Sequence, residues 1–393
     1  MRRRLVIPTL VGGLWMLSTG AWGAGNEPDL ENALLAFKKT LPPNYGAGGV
    51  FQVQAQRQQG KILLQGRTLG LAEKRDLLKT MAALGPVEDK IATFPYGQPK
   101  PYARLVSAYA DMRAEAKTDS ELASQALLGD GFQILSQAGG WIEVFRQWDG
   151  YVGWIEAGNL AVMDRGSFST CTKRPKVVLL EDVATDSNQT LYRGSILPVV
   201  HESTHSNQSA QAWSIESPAG DTLNLAHSQA RAYQIKSSAP ELQKSVVSIA
   251  QQIYTISRSA PYHYLWGGTK GLDLDCSGFN QTVFRLAGVA LPRDSYQQQG
   301  YSLPVAKTID QLDELRPGDL VFFNENKKRA THTGIHVGDG IMIHSSGHNK
   351  GLGMNNLKGD SEYERFLRRI YWGSARVPAL AKTGLTTSLP LFG

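Results

Sequence analysis

Hydrophobic and polar residues follow two different periods between residues 28 and 100. In residues 30–41 (LENALLAFKKTL) and 71–85 (LAEKRDLLKTMAALG), apolar positions recur every three to four residues, which is typical of amphipathic helices. Strand-like runs occupy residues 49–56, 60–66 and 87–95. The order strand, strand, helix, strand predicts a small α+β unit over residues 28–100. We assign this unit no chemistry.

From residue 103 to about 170 the pattern changes to short alternating runs separated by Gly and Asp turns. Strands at this spacing are typical of a small β-barrel. The segment GGWIEVFRQWDGYVGW (residues 139–154) resembles bacterial SH3-like domains, which implies a first such barrel at residues 103–170. Residues 176–235 match it as a second, more diverged copy.

Residues 240–377 begin with the pattern of a helix, in which Val246, Ala250 and Ile253 share one stripe. A cysteine-containing stretch, a second helical pattern and several glycine-punctuated strands follow. The tail, residues 378–393, is expected to be loosely ordered. Together these segments predict a multidomain α+β protein.

The N-terminus carries the signature of an export signal. Three arginines precede an apolar run over residues 5–17, and small residues follow it. This pattern predicts a signal peptide over residues 1–23. A membrane anchor is the alternative, but the run is shorter than the roughly 20 residues that a spanning helix needs. We therefore expect a periplasmic or secreted protein that keeps no stable membrane anchor after cleavage.

The charge of the chain does not indicate a nucleic-acid partner. The formal net charge is +6 over 393 residues, and removing the three leader arginines leaves 6 − 3 = +3. The chain has no long Lys/Arg run of the kind that binds nucleic acid. We expect a monomer without a nucleic-acid partner.

Only two cysteines are present, Cys171 and Cys276. In an exported protein they could form a disulfide. Cys171 lies in a polar segment with the composition of an inter-domain linker, so such a bond would tie that linker to another domain. Composition alone leaves the disulfide and two free thiols equally open. Cys276 could also be a small buried apolar residue or a nucleophile.

The sequence around Cys276 favours the nucleophile. Apolar residues at helical spacing follow the DCSG segment (residues 275–278), so the cysteine lies at or near a helix N-terminus. The free N–H groups and the dipole of a helix start stabilise an anion, which predicts a lowered thiol pKa.

A nucleophilic cysteine needs a base, and the base needs an orienting partner. Downstream, residues 332–345 are predicted to form a β-hairpin that turns at residues 338–340. With a three-residue loop, His344 projects from the same face as His332, whereas a two-residue loop would place it on the opposite face. His336 would share that face, and we interpret it as a core or supporting histidine.

Six short motifs in residues 240–377 resemble those of the NlpC-type cell-wall cysteine peptidases, which are papain-like hydrolases. The motifs are YLWGG (264–268), DCSG (275–278), LPRDSY (291–296), PGDL (317–320), HTGI (332–335) and IHS (343–345). The resemblance implies Cys276 as the nucleophile and His332 as general base and acid. It also implies that His344 orients the imidazole, and that Tyr264 and the backbone N–H of Cys276 stabilise the oxyanion.

The resemblance implies substrates as well. The family cleaves stem peptides of peptidoglycan, or the muropeptides derived from them, after a γ-linked D-glutamate. No cofactor is expected, and a zinc site at the histidines is only a distant alternative. In the subgroup with SH3-like domains, Asp294 of the Arg293-Asp294-Ser295 motif would bind the free amine of an N-terminal L-Ala.

The same subgroup closes this pocket with an acid and a tyrosine from the first barrel, which correspond to Glu115 and Tyr151. Glu115 could instead be a solvated loop charge and Tyr151 barrel core. Asp275 and Ser277, which flank the cysteine, are implied to contact the substrate. An endopeptidase that remodels intact peptidoglycan and an inactive wall-binding protein are the alternative functions.

Overall fold

The computed structural model describes residues 27–41, 50–94, 99–185, 189–203, 212–216, 222–233, 238–260, 262–325 and 328–381. The predicted signal peptide, residues 1–23, lies outside the described residues, as do residues 382–393 of the tail. Among the helices of the described residues, none is both long enough and apolar enough to cross a membrane.

The N-terminal unit has the predicted order of elements. They are α1 (Pro28–Thr40), β1 (Gln52–Gln58), β2 (Lys61–Thr68), α2 (Leu71–Ala82) and β3 (Val87–Thr93). In the sheet, β2 lies between β1, which is antiparallel to it, and β3, which is parallel. The parallel pair requires a crossover, and α2 provides it. Both helices bury apolar side chains against the sheet, so that Leu30 of α1 and Leu77 of α2 share one core cluster with Ile62 of β2.

This unit packs against the barrel that follows it. Arg67 of β2 pairs with Glu143 at 3.2 Å between Nη2 and Oε1. Beside this ion pair, Leu69 and two barrel residues, Leu135 and Phe145, belong to one buried apolar cluster. Residues 28–100 therefore form a structural extension of the first barrel.

The first barrel is a seven-stranded antiparallel sheet. Its strands are β4 (Tyr102–Leu105), β5 (Tyr109–Arg113), β6 (Leu122–Leu127), β7 (Gly131–Ala138), β8 (Trp141–Arg146), β9 (Val152–Glu156) and β10 (Leu160–Met163), in the order β10-β4-β7-β8-β9-β5-β6. The β7–β8 turn consists of Gly139 and Gly140, which both have positive φ (55° and 86°). Such a turn matches the twist of a hairpin and favours glycine at both positions.

A helix and a second small β unit follow. The helix is α3 (Arg165–Lys173), and the strands are β11 (Lys176–Leu179), β12 (Val183–Ala184), β13 (Thr190–Leu191), β14 (Ile196–Ser203), β15 (Ala212–Glu216), β16 (Thr222–Ala226) and β17 (Ala230–Ala232). Five of the strands form a sheet in the order β16-β15-β14-β11-β17, and β12 pairs with β13. Cys171 therefore lies in a helix that connects the two β units, and Asp164 caps this helix by accepting from the Ser167 N–H.

The C-terminal domain packs helices on both faces of a six-stranded sheet. Its helices are α4 (Ala239–Ser257), α5 (Cys276–Leu286), α6 (Ser295–Tyr301), α7 (Glu362–Arg369) and α8 (Pro378–Ala381). Its strands are β18 (Thr269–Lys270), β19 (Asp273–Leu274), β20 (Leu303–Ala306), β21 (Leu320–Phe323), β22 (His332–Gly338), β23 (Ile341–Ser346), β24 (Gly351–Asn356) and β25 (Tyr371–Arg376). The order of the large sheet is β20-β25-β21-β22-β23-β24.

Alternation along the strands sends successive side chains to opposite faces of this sheet. Phe322 and Ile335 join the core beneath α4 and α5, whereas Phe323 and Met342 join the core beneath α7. Helix α5 thus lies against β22 and β23. Its N-terminus, which carries Cys276, is at one end of the sheet.

A buried network of charges joins the first barrel to the C-terminal domain. Arg285 of α5 pairs with Asp130 at 2.6 Å between Nη2 and Oδ1, and its Nε donates to the Gly194 carbonyl at 2.5 Å. On the same helix, Gln281 donates to Asp149 at 3.0 Å. Buried charges are tolerated only when they are paired in good geometry. The network therefore holds the barrel in one position relative to the helix that carries Cys276.

Candidate active site

Cys276 is the first residue of α5, and the residue before it caps the helix. The carboxylate of Asp275 accepts from the Gly278 N–H at 2.7 Å and from the Gly267 N–H at 2.9 Å. Gly278 has no room for a side chain, because a Cβ there would lie 2.1 Å from the Gly268 carbonyl oxygen. The glycines on both sides of the cysteine therefore allow the YLWGG loop to contact the helix start.

The Cys276 thiol is buried against three hydrogen-bonding groups. The Tyr264 hydroxyl bonds to it, and the backbone N–H groups of Thr333 and Ser277 donate to it. Burial, with the carboxylate of Asp275, nevertheless raises the pKa of the thiol to about 12. The expectation of a lowered pKa, drawn from the helix start alone, is therefore wrong. The resting group is a neutral thiol.

His332 and His344 project from the same face of β22 and β23, as predicted. The turn between the strands has two residues rather than three, which by itself would place them on opposite faces. A β-bulge between His336 and Gly338 supplies one extra residue and restores the register.

The imidazole of His344 is fully buried between two glycines on the flanking strands. On β22, a Cβ at Gly334 would lie 2.8 Å from the Cβ of His344. On β24, Gly353 is the direct cross-strand partner of His344. Because neither neighbour carries a side chain, the ring fits between the strands.

The two rings form a short hydrogen bond, 2.6 Å between Nε2 of His332 and Nδ1 of His344. Burial lowers the pKa of His332 well below 6.5 and that of His344 to about 4. Both rings are therefore neutral at neutral pH, and the bond leaves Nδ1 of His332 available to another partner. Nε2 of His344 lies 2.9 Å from Oδ1 of Asn355, a residue that sequence reasoning did not consider.

His336 lies in the core, as predicted. Its Nδ1 donates to the Arg316 carbonyl at 3.2 Å, and its Nε2 accepts from the Gly340 N–H at 3.2 Å. These two bonds pin the β22–β23 turn to the loop before β21.

Tyr151 of the first barrel reaches the C-terminal domain. Its hydroxyl donates to Oδ1 of Asp294 at 3.3 Å, and the Tyr296 hydroxyl also bonds to this carboxylate. Burial raises the pKa of Asp294, and Arg293 beside it counteracts part of the rise. Two of the predicted pocket residues are thus in contact across the domain interface.

Arg293, Asp275 and Ser277 hold one another. The guanidinium of Arg293 donates to both oxygens of Asp275, at 3.0 and 2.6 Å, and to Oγ of Ser277 at 2.9 Å. Its Nε donates to Ser124 of the barrel at 3.2 Å. Ser295 is bound elsewhere, since its Oγ donates to the Ala330 carbonyl at 3.0 Å. These contacts shape the wall beside Cys276.

Glu115 lies apart from these contacts. Its side chain is 68% exposed, and its carboxylate pairs with Lys117 at 3.1 Å. A different acid of the same loop, Glu121, contacts the C-terminal domain and accepts from Nε1 of Trp266 at 2.8 Å. Sequence reasoning missed this pair, although Trp266 belongs to the YLWGG motif and is 62% exposed.

Cys171 and Cys276 are both free thiols, so no disulfide joins α3 to α5. Within the described ranges, no three His, Cys, Asp or Glu side chains converge in a way that could hold a metal ion.

Cys276 at a helix start and the hydrogen-bonded His332–His344 pair are the residue types that a cysteine peptidase uses as nucleophile and base. Residues 261–370 match the model of the NlpC/P60 family, and residues 112–160 match that of the bacterial dipeptidyl-peptidase SH3 domain. Residues 261–370 are therefore an NlpC/P60 domain, the domain of a cysteine peptidase family, and an SH3-type domain precedes it.

Two curated relatives are similar to this chain. A gamma-D-glutamyl-L-lysine dipeptidyl-peptidase of Bacillus cereus is 28% identical over 243 residues, which cover 58% of this chain and 68% of the relative. A protein of the same name from Bacillus subtilis is 38% identical over 108 residues, which cover 26% of this chain and 34% of the relative.

Among solved structures, the crystal structure of an NlpC/P60 family protein from Bacillus cereus has a TM-score of 0.55. It is 21% identical, and the match covers 70% of this chain and 99% of that one. At this identity the likeness shows a shared fold.

Proposed function

We propose that the protein is an exported peptidase that hydrolyses the γ-D-glutamyl–diamino acid bond of peptidoglycan stem peptides bearing a free N-terminal L-Ala. The observation that carries this proposal is the contact of Tyr151 with Asp294. The names of the two Bacillus relatives support it, since both are called gamma-D-glutamyl-L-lysine dipeptidyl-peptidase. Residues 1–23 would direct export.

In the proposed reaction, Cys276 is the nucleophile and His332 the base. The thiol gives its proton to Nδ1 of His332, and the sulfur attacks the γ-carbonyl carbon. As the C–N bond breaks, the imidazolium returns the proton to the leaving amine. Water then adds to the thioester with His332 again as base, which releases the γ-carboxylate and restores the thiol.

The electrostatics of the resting site support this direct proton transfer. Burial and the Asp275 carboxylate favour the neutral thiol, so its proton would leave as the sulfur attacks. The hydroxyl of Tyr264 is bonded to the thiol and would donate to the developing oxyanion together with the Cys276 N–H. Each such donor would contribute about 3–4 kcal/mol to transition-state stabilisation.

The selectivity for a free amine would come from Asp294. An ammonium entering a partly buried pocket needs a carboxylate to compensate for its lost hydration. Arg293 is bound to Asp275, so it leaves the Asp294 carboxylate available to such a cation. Tyr151 would limit the pocket to two residues of peptide on the acyl side, which fits the release of a dipeptide.

The test compares three substrates: free L-Ala-γ-D-Glu-diamino acid tripeptide, the same tripeptide with its alanine amine acetylated, and intact sacculi. Mass analysis should find L-Ala-γ-D-Glu released from the free tripeptide, with the acetylated one cleaved at least a hundredfold more slowly. Equal rates on the first two substrates would refute the pocket. Release of fragments from sacculi at a comparable rate would instead favour remodelling of the intact wall.

A further inference from the structure

The hydrogen bond between the two active-site histidines continues to an asparagine on the next strand. Asn355 of β24 lies on the same sheet face as His344, and its Oδ1 is 2.9 Å from Nε2 of His344. His332, His344 and Asn355 therefore form one line of hydrogen bonds across β22, β23 and β24.

This line fixes the direction of each hydrogen bond. An amide oxygen only accepts, so Nε2 of His344 must carry the hydrogen. In a neutral ring the other nitrogen is then an acceptor. Nδ1 of His344 therefore accepts from the Nε2–H of His332, and Nδ1 of His332 is left without a hydrogen. That is the form of His332 that can take a proton.

The direction of these hydrogen bonds depends on the orientation of the Asn355 amide. If its nitrogen instead of its oxygen faced His344, donor and acceptor would be exchanged in every bond of the line. Asn349 supports the orientation in which the oxygen faces His344, since its Nδ2 lies 3.3 Å from Oδ1 of Asn355 and can donate to it. The same nitrogen lies 3.2 Å from Nε2 of His344. A protonated Nε2 cannot accept, and the shorter 2.9 Å contact to oxygen favours Nε2 as the donor.

The chain leaves room for this arrangement at Gly353. A Cβ at this position would lie 1.8 Å from Nδ2 and 2.3 Å from Cγ of Asn349. The side chain of Asn349 thus occupies the space that any other residue at 353 would fill, directly opposite His344. Asn349, Gly353 and Asn355 of the β23–β24 hairpin therefore allow a single arrangement of side chains around the buried imidazole of His344.

We propose that Asn355, held by Asn349, is a positioning residue that selects the tautomer of His344 and so presents His332 with an unprotonated Nδ1. The proposal rests on the function proposed above for the roles of Cys276 and His332. Asn355 itself does not touch the substrate. It acts through two imidazoles, as outer partners of ligating histidines do in metal sites.

The first test needs no substrate. In ¹⁵N-histidine-labelled protein at pH 7.5, long-range ¹H–¹⁵N correlation spectra should show His344 with its hydrogen on Nε2, and His332 likewise. In Asn355→Leu, which keeps the size but loses the acceptor, the spectrum of His344 should change to the other tautomer or to a mixture. A wild-type His344 with its hydrogen on Nδ1, or an unchanged tautomer in the variant, would overturn the proposal. Failure of the proposed substrate would leave this result standing.

The second test uses kinetics on the free tripeptide. Asn355→Leu should lower kcat about tenfold or more with little change in KM. Asn355→Asp keeps the accepting oxygen and should restore most of kcat. Its added negative charge favours protonated His344, beside which lie Tyr363 and His348, so the acidic limb of kcat should move to higher pH. Asn349→Ala should show a smaller loss than Asn355→Leu.

Asn356→Leu is the matched control. Asn356 is the next residue on β24, and its Oδ1 accepts from the Lys358 N–H, away from His344. Its kcat should be that of the wild type. Equal losses in Asn355→Leu and Asn355→Asp would show that the side chain is needed only for folding and would refute the positioning role. Gly353→Ala, which displaces Asn349, should reproduce the tautomer change if Asn355→Leu does not fold.

Discussion

The hydroxyl of Tyr151 donates to the carboxylate of Asp294 across 3.3 Å, and so joins the first barrel to the C-terminal domain beside the start of α5. The two residues are 143 positions apart in the chain. The same two domains are also joined by the buried ion pair between Arg285 of α5 and Asp130 of the barrel. The barrel therefore contacts the C-terminal domain directly at the LPRDSY motif.

Replacing Asp294 should remove the preference for a free amine. Loss of a charge-assisted contact costs about 1.5–3 kcal/mol, so Asp294→Asn should lower kcat/KM for the free tripeptide roughly ten- to a hundredfold. Tyr151→Phe should cost less, about 0.5–1.5 kcal/mol. Steady-state kinetics on the free and acetylated tripeptides checks both. Asp360→Asn, at a carboxylate that is 94% exposed, is the control and should leave both rates unchanged.

Replacing Cys276 should remove the hydrolytic activity with little change in the free energy of unfolding. Because both cysteines are free, Cys276→Ser should abolish hydrolysis while the free energy of unfolding changes by no more than about 1 kcal/mol. Cys171→Ser should keep full activity. Urea unfolding and peptide hydrolysis measured on both variants provide the check. A parallel, large loss of stability in the two would indicate a disulfide instead.

Stability should fall as the pH drops below about 6.5. The pKa of His344 is about 4 in the folded protein and near 6.5 when unfolded, so between these values the unfolded chain binds the extra proton. The contribution of His344 to the free energy of unfolding is complete above pH 6.5 and is lost as the pH falls to 4. The change is about 3 kcal/mol. Urea unfolding from pH 4 to 8 should show this slope. His344→Gln should reduce this slope but not abolish it, since the lowered pKa of His332 also contributes, and an identical slope in that variant would contradict the assignment.

Arg285→Ala should destabilise the whole chain. It leaves the carboxylate of Asp130 buried without its nearest cation, which typically costs about 3–5 kcal/mol. Arg75→Ala removes an arginine that is 78% exposed and should change stability by less than about 0.5 kcal/mol. Thermal or urea unfolding of the two variants is the measurement. A cost below about 1 kcal/mol for Arg285→Ala would mean that the barrel is not held by this pair.

Gly278→Ala should disturb the start of α5. The added Cβ would lie 2.1 Å from a backbone oxygen of Gly268, so the loop or the helix must move. We expect a loss of about 1–3 kcal/mol and a sharp fall in kcat, since the shift displaces Cys276. Gly158→Ala introduces a Cβ with no heavy atom within 4 Å and should be neutral. Wild-type kcat in Gly278→Ala would show that the glycine is not needed for placing the thiol.

Much of the architecture follows from local pattern. The helix stripe of α4, the strand order of the N-terminal unit and the helix after Cys276 are all set by apolar periodicity and glycine positions, which act over a few residues. The motifs around Cys276, His332 and His344 identified the peptidase domain for the same reason, since each depends on residues close together in the chain.

Tertiary structure decided what depends on distant residues. A bulge near Val337 corrects the register that the two-residue turn would otherwise give. No local sequence pattern predicted this bulge. Burial, together with the carboxylate of Asp275, raises the thiol pKa that the helix start alone would lower.

Three further features required separate elements to meet. They are the contact of Tyr151 with Asp294, the contact to the C-terminal domain by Glu121 instead of Glu115, and the position of Asn355 beside His344. By itself the sequence determined the residue types and local conformations that this chemistry needs. Only packing decided which charges are buried, which nitrogen carries a hydrogen and which side chains form the cleft, because hydrogen bonds and desolvation depend on neighbours that are distant in the chain.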